Sequence, residues 1–148
     1  MLVTKRDGSK EPVHLDKITR RIEVLAEGLQ VEPLLVAQRV IGGLYDGVTT
    51  RELDELAVRT AANLVTTHPD YDFLAARLMA SILHKDTPPT FGAAMEKLAR
   101  RTDLAGRPAP AVSEDLLRIV RAHGVRIEKE LVQERDFTFD YQGISTLT

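Results

Sequence analysis

The 148 residues carry a formal net charge of −2 and a pI near 6.1, so no general field draws in DNA or RNA, and any anion must be held by a local cluster. The absence of cysteine excludes zinc ribbons, thiol catalysis, iron–sulfur ligation and a disulfide-stapled secreted domain. A hydrophobic fraction of 43% supports a core, and 5% aromatics with no tryptophan point to a helical, aliphatic one. No apolar run approaches the roughly 20 residues of a membrane span. The start Met1-Leu2-Val3-Thr4-Lys5 lacks the apolar centre of a signal peptide, so the expected compartment is cytoplasmic.

From Val3 to Ile18 the chain reads as two short strands, a tight turn at Asp7-Gly8, and the start of a helix. Asp-Gly between extended runs is a hairpin signal, because glycine tolerates the positive φ of such turns. Pro12 confines the second strand to an edge. Asp16 is expected to cap a helix beginning near Lys17. Lys5 and Arg6 are adjacent, so in a strand one of them must look toward whatever packs beneath the hairpin. Lys17 falls in a first helical turn, where the dipole disfavours a cation unless an anion shares the site.

Ile18, Ile22, Leu25 and Leu29 form one apolar stripe, with Arg20 and Arg21 off it and read as solvated; Gly28 is the expected C-terminal cap. Pro33 opens a second helix with Val36, Val40 and Leu44 inward. Its Gly42-Gly43 pair permits either fraying or a close backbone approach. Thr49 with Glu52 is a capping-box signature for a third helix, whose inward stripe is Leu53, Leu56, Ala57, Thr60 and Leu64. Thr50 and Asp54 share a different face near its N-terminus, where free N–H groups favour an anion; the ordinary reading of such a pair is a solvated one. After His68-Pro69-Asp70 a fourth helix runs from about Tyr71 to His84, with Tyr71, Leu74, Ala75, Leu78 and Ile82 inward and Lys85 at its cation-favouring end.

Pro88-Pro89 marks the expected boundary. Beyond it come a short helix carrying Phe91, Ala94, Met95 and Leu98, and a loop over 100–110. Ser113 caps a helix carrying Leu116, Leu117, Ile119 and Val120, and a separate short helical pattern holds Ile127 and Leu131. Phe137, Phe139 and Tyr141 alternate with polar residues like a half-buried strand. No phosphate-binding glycine loop of the Gly-x-x-x-x-Gly-Lys-Ser/Thr or Gly-x-Gly-x-x-Gly type occurs. His14, His68, His84 and His123 are scattered and form no catalytic set.

Val3-x-Lys5-Arg6-Asp7-Gly8, followed by apolar Leu15 and then Asp16-Lys17-Ile18, resembles the ATP-cone. This regulatory nucleotide-binding module is best known at the amino terminus of the class I ribonucleotide reductase large subunit. His68-Pro69-Asp70-Tyr71 with Leu74-Ala75-Ala76-Arg77 resembles the same subunit just beyond its cone, and Arg135 to Tyr141 resembles the entry to its catalytic barrel. The resemblance implies a mainly α (α+β) fold: a four-helix bundle under an N-terminal β-hairpin lid over 1–87, a helical connector over 88–134, and the truncated start of a catalytic domain over 135–148.

By the same resemblance Lys5, Arg6, Thr50 and Lys85 would meet phosphates, and Glu11 and His14 would lie on the lid over the base. Lys17 and Ile18 would border the adenine, Asp54 would sit near the ribose, and Val3, Ile18 and Leu44 would supply the apolar slot. The implied effector is ATP or dATP, with Mg2+ as the natural companion of a triphosphate. The implied partners are the rest of the large subunit, the radical-generating small subunit and a homo-oligomer, with no nucleic acid and no membrane. The chain itself is expected to be regulatory and not an enzyme, since the reductase's thiyl chemistry needs a cysteine. Two alternatives stay open: a nucleotide-sensing transcriptional regulator, whose zinc ribbon is absent here, and a degenerate cone serving only as a helical interaction module.

Overall fold

The computed structural model describes residues 1–148. Strands β1 (Leu2–Thr4) and β2 (Lys10–Pro12) precede seven helices: α1 (Leu15–Leu25), α2 (Pro33–Gly42), α3 (Thr50–Asn63), α4 (Asp70–Asp86), α5 (Phe91–Ala99), α6 (Glu114–Glu130) and α7 (Tyr141–Ser145). The architecture is mainly helical with a small N-terminal antiparallel sheet, as expected. Contacts divide the chain into two units, Met1–Ile82 with Glu134–Thr148, and Leu83–Gln133.

In the first unit the hairpin pairs Leu2 with Pro12, Val3 with Glu11 and Thr4 with Lys10. Gly8 turns it at φ +83°, a conformation that a Cβ would strain. Asp7 accepts from the Ser9 N–H and hydroxyl, which tightens the turn and lowers the carboxyl's pKa. Beneath the helices, Ile22, Val36, Val40, Leu74 and Leu78 are almost wholly buried, so α1, α2 and α4 share one aliphatic core with Ala57, Val58 and Ala61 of α3. The Thr49–Glu52 capping box forms in both directions. Gly43 resolves the glycine-pair question in favour of close approach: a Cβ there would lie 2.8 Å from Leu56 Cδ2.

Several local expectations are corrected. α1 begins at Leu15 with His14 as its N-cap, and no side chain caps it; Asp16 sits inside the first turn. Its last residue is Leu25, so Gly28 (φ +76°) serves the turn beyond the helix and not its cap. The tail is not a strand. Gln133–Thr138 is a 3-10 turn, and Asp140 caps α7 by accepting from the Gly143 N–H. The Tyr141 N–H then donates to Asp72 at 3.1 Å, and Ile144 is buried.

In the second unit α5 packs on α6, with Leu117 and Val120 buried. Thr90 and Ser113 cap the two helices, and Glu128 accepts the Phe91 N–H at 2.8 Å. α6 is continuous through Gly124, where two short helices were expected. A single helix-interior glycine costs only about 1 kcal/mol, less than the burial along this face returns. No helix is long and apolar enough to cross a membrane.

Candidate functional site

The hairpin is fastened to the loop that leads into α3. The Thr4 N–H donates to the Val48 carbonyl at 2.9 Å, and the Gly47 N–H to the Leu2 carbonyl at 2.9 Å. The Leu2 N–H donates to Asp46 at 2.7 Å, and Thr4 bridges Thr49 in parallel. Val3 points inward and is buried. This docking sets Lys5 and Arg6, the two residues after β1, beside the helical body.

Their side chains part company. Lys5 Nζ pairs with Glu11 across the hairpin at 2.6 Å; the shared hydrogen bond raises the lysine's pKa and lowers the carboxyl's. Lys17 and His14, in and just before the first turn of α1, also lower the Glu11 carboxyl's pKa through their charge, after the larger effect of Lys5. Arg6 is the member that turns to the body, donating to Asp54 Oδ2 at 3.1 Å. Asp54 is buried in α3 at 5% exposure, which overturns the solvated reading of the Thr50–Asp54 face.

Arg21 is the residue that sequence reasoning placed wrongly. Its guanidinium pairs with Asp54 Oδ1 through Nη1 and donates through Nη2 to the Ser81 hydroxyl of α4 at 3.1 Å. Its Nε is buried with no partner. Burial, and then the neighbouring Arg6 charge, pull its pKa down to about 10, still protonated at neutral pH. A signal was present: Arg21 stands three residues after Ile18 and four before Leu25, so it borders the apolar stripe.

The structure therefore pairs Lys5 with Glu11 and gathers Arg6 and Arg21 on Asp54, the two groups joined through the Lys5-Arg6 peptide, with His14 and Lys17 following on at the start of α1. Lys5, Arg6, Lys17 and Arg21 bring four cations to this end of the unit, against the carboxylates of Asp7, Glu11, Asp16 and Asp54. Thr50 is the first residue of α3, one turn before Asp54. Ile18 and Leu44 are half-buried, the former on α1 and the latter in the loop after α2. Lys85 lies in the last turn of α4, in the second unit. No group of three His, Cys, Asp or Glu side chains is arranged to hold a metal ion.

Comparison with known proteins adds an independent line. The family model for the ATP cone domain matches residues 1–86. The chain is 44% identical to the ribonucleoside-diphosphate reductase large subunit of Arabidopsis thaliana, over 99% of this chain and 18% of that protein. It is 45% identical to the large subunit of Caenorhabditis elegans, over 98% of this chain and 19% of that protein. With the large subunit of Danio rerio the identity is 46%, over 99% and 19%. The chain thus spans about a fifth of the length of these relatives.

Proposed function

The chain belongs to the ATP-cone family, and from that premise we propose that it is the allosteric ATP/dATP-binding region of a ribonucleoside-diphosphate reductase large subunit. One observation carries the reading: the docked hairpin sets Lys5 and Arg6 side by side, with Arg6 on the buried Asp54 of α3.

In this reading Lys5, Arg6 and Thr50 meet phosphates, each as a positive or hydroxyl donor near a helix N-terminus. Lys85 joins the phosphate set on the resemblance alone. Glu11 and His14 cover the base, Val3, Ile18 and Leu44 give it apolar contact, Lys17 borders it, and Asp54 accepts from the sugar. A magnesium ion would be held by the triphosphate, since the protein offers no ligand cluster of its own.

ATP and dATP differ by one hydroxyl, so a single hydrogen bond of roughly 0.5–1.5 kcal/mol is the scale of direct discrimination. That is enough to switch an enzyme only by biasing an assembly with two nearly balanced states. ATP would favour the complex with the small subunit, and dATP an inhibited homo-oligomer, in a cytoplasmic enzyme whose catalytic residues lie outside these 148.

Calorimetric titration with ATP, dATP and GTP tests the reading. Adenine nucleotides should bind, and Lys5→Ala with Lys17→Ala should weaken them at least tenfold, given charge-assisted contacts of about 1.5–3 kcal/mol each. Folded protein that takes up no adenine nucleotide refutes it and leaves the inert helical module.

A further inference from the structure

We propose that Arg21 is a positioning residue of this site: it holds Asp54 from within the helical body while Arg6, carried by the hairpin, exchanges the carboxylate for a phosphate. The inference rests on the nucleotide reading above and adds to it a residue and a coupling.

The two arginines reach one carboxylate from different kinds of ground. Arg21 projects from α1 and touches α3 through Asp54 Oδ1 and α4 through the Ser81 hydroxyl, so three packed helices fix it. Its buried, unpartnered Nε leaves the Nη fork as the whole of its polar attachment. Arg6 projects from the hairpin turn and donates to Oδ2 at 3.1 Å; its side chain is 30% exposed and that of Arg21 26%, so the two differ in the element that carries them and not in burial. Two guanidiniums on one carboxylate also repel each other. A phosphate arriving at the hairpin relieves that repulsion by drawing off the movable member. Asp54 Oδ2 is released in the same event and can accept a sugar hydroxyl, while Arg21 keeps the carboxylate oriented. Phosphate and sugar recognition are thereby coupled through a single carboxylate.

The coupling makes an unusual demand on variants. Without Arg21, Asp54 clings to Arg6, so Arg21→Gln should weaken both ATP and inorganic tripolyphosphate by about fivefold or more. Adding Asp54→Asn frees Arg6 again and should restore tripolyphosphate affinity to within about twofold of the wild type while ATP stays weak. A residue that merely braces the fold gives no such rescue, and a double variant as poor as Arg21→Gln overturns the proposal. Ser81→Ala, which removes only the α4 anchor, should show the same pattern at about two- to threefold and serves if Arg21→Gln does not fold.

Unfolding cycles without nucleotide decide the remaining case. The Arg21–Asp54 coupling should exceed the Arg6–Asp54 coupling by at least about fivefold in the unfolding constant; equal couplings overturn the proposal whether or not nucleotide binds. Wild-type protein that binds neither ATP nor tripolyphosphate overturns the nucleotide reading instead.

Discussion

Replacing Thr49 by alanine should loosen the entry to α3 and, with it, the loop that receives the hairpin. Thr49 Oγ1 accepts the Glu52 N–H at 3.1 Å and donates to Glu52 Oε2 at 2.7 Å. The reciprocal bond, from the Thr49 N–H to Glu52 Oε2 at 2.8 Å, uses backbone and survives the change. Half of the capping box is therefore lost, and the loss of such a cap costs about 1 kcal/mol, within a range of about 0.5–2. For a unit of about one hundred residues that corresponds to a fall in Tm of about 4–8 °C.

A thermal melt followed by circular dichroism measures it, with Thr49→Ser as the control that keeps the hydroxyl. Serine should melt close to wild type. An alanine variant that melts with the wild type, or a serine variant as low as alanine, refutes the capping account. Acidity supplies a second arm. The Glu52 carboxyl is held below its usual 4.5, first by the Thr49 N–H, then by the Thr49 hydroxyl, then by the Tyr45 hydroxyl. A depressed carboxylate contributes stability above its unfolded pKa and loses it as pH falls through the folded one. The gap between wild type and alanine should therefore narrow on acidification below about 4.5.

Arg77 Nη1 donates to the carbonyls of Leu25 at 3.0 Å and Glu27 at 2.8 Å, placing a cation at the C-terminal end of α1. Arg77→Met should cost about 1.5–3 kcal/mol in urea unfolding with an unchanged m-value, and a loss under about 0.5 kcal/mol would show those carbonyls satisfied without it. Gly28→Ala meets no atom within 4 Å but must keep φ +76°, so it should cost about 1–2 kcal/mol, with Gly28→Asn costing less; equal penalties would point to a clash and not to backbone strain. The Lys5–Glu11 pair should give the hairpin a pH window. Lys5 is raised, so its contribution is present below the usual 10.5 and lost above; Glu11 is lowered, so its contribution is present above 4.5 and lost as pH falls below. Amide protection at Glu11, taken relative to the intrinsic exchange rate at each pH, should be higher between those limits and lower at high salt, and protection that does not change with pH would mean the pair has no hold on the hairpin.

What could be read from the residues alone was what short windows encode. Asp7-Gly8, Thr49 with Glu52, and Ser113 are signals of a few residues, the stripes of α1, α3 and α4 run over a few helical turns, and the elements they specify all formed. The failures have two causes, a partner far along the chain and a competing local bond. Arg21 looked solvated because its carboxylate lies on another helix. The 137–141 alternation looked extended because the pattern cannot see the Asp140 cap or the tie from Tyr141 to Asp72. Three alternating residues make a weak strand signal, and one satisfied cap together with a long-range hydrogen bond outweighs it.

The way the hairpin is held bears on what kind of lid it is. β1 has two sets of partners: β2 on one side and, on the other, the 46–49 loop, through backbone bonds at Leu2 and Thr4. β2 pairs only with β1 within the sheet and is otherwise held by the Lys5–Glu11 pair and its continuation into α1. Opening the lid as a body would break the backbone bonds of β1 to the loop, each worth about 0.5–1.5 kcal/mol net. Moving β2 and the turn costs the exposed Lys5–Glu11 pair, worth about 1 kcal/mol at most, and the Arg6–Asp54 contact that whole-lid opening would also break, before any ladder bond is lost. The cheaper motion leaves Val3 buried and the β1 anchor intact while the charged ends of Lys5, Arg6 and Glu11 rearrange. A ligand that competes for those ends needs only to reshuffle salt bridges at the hairpin tip, which is the scale of change a single bound anion can drive.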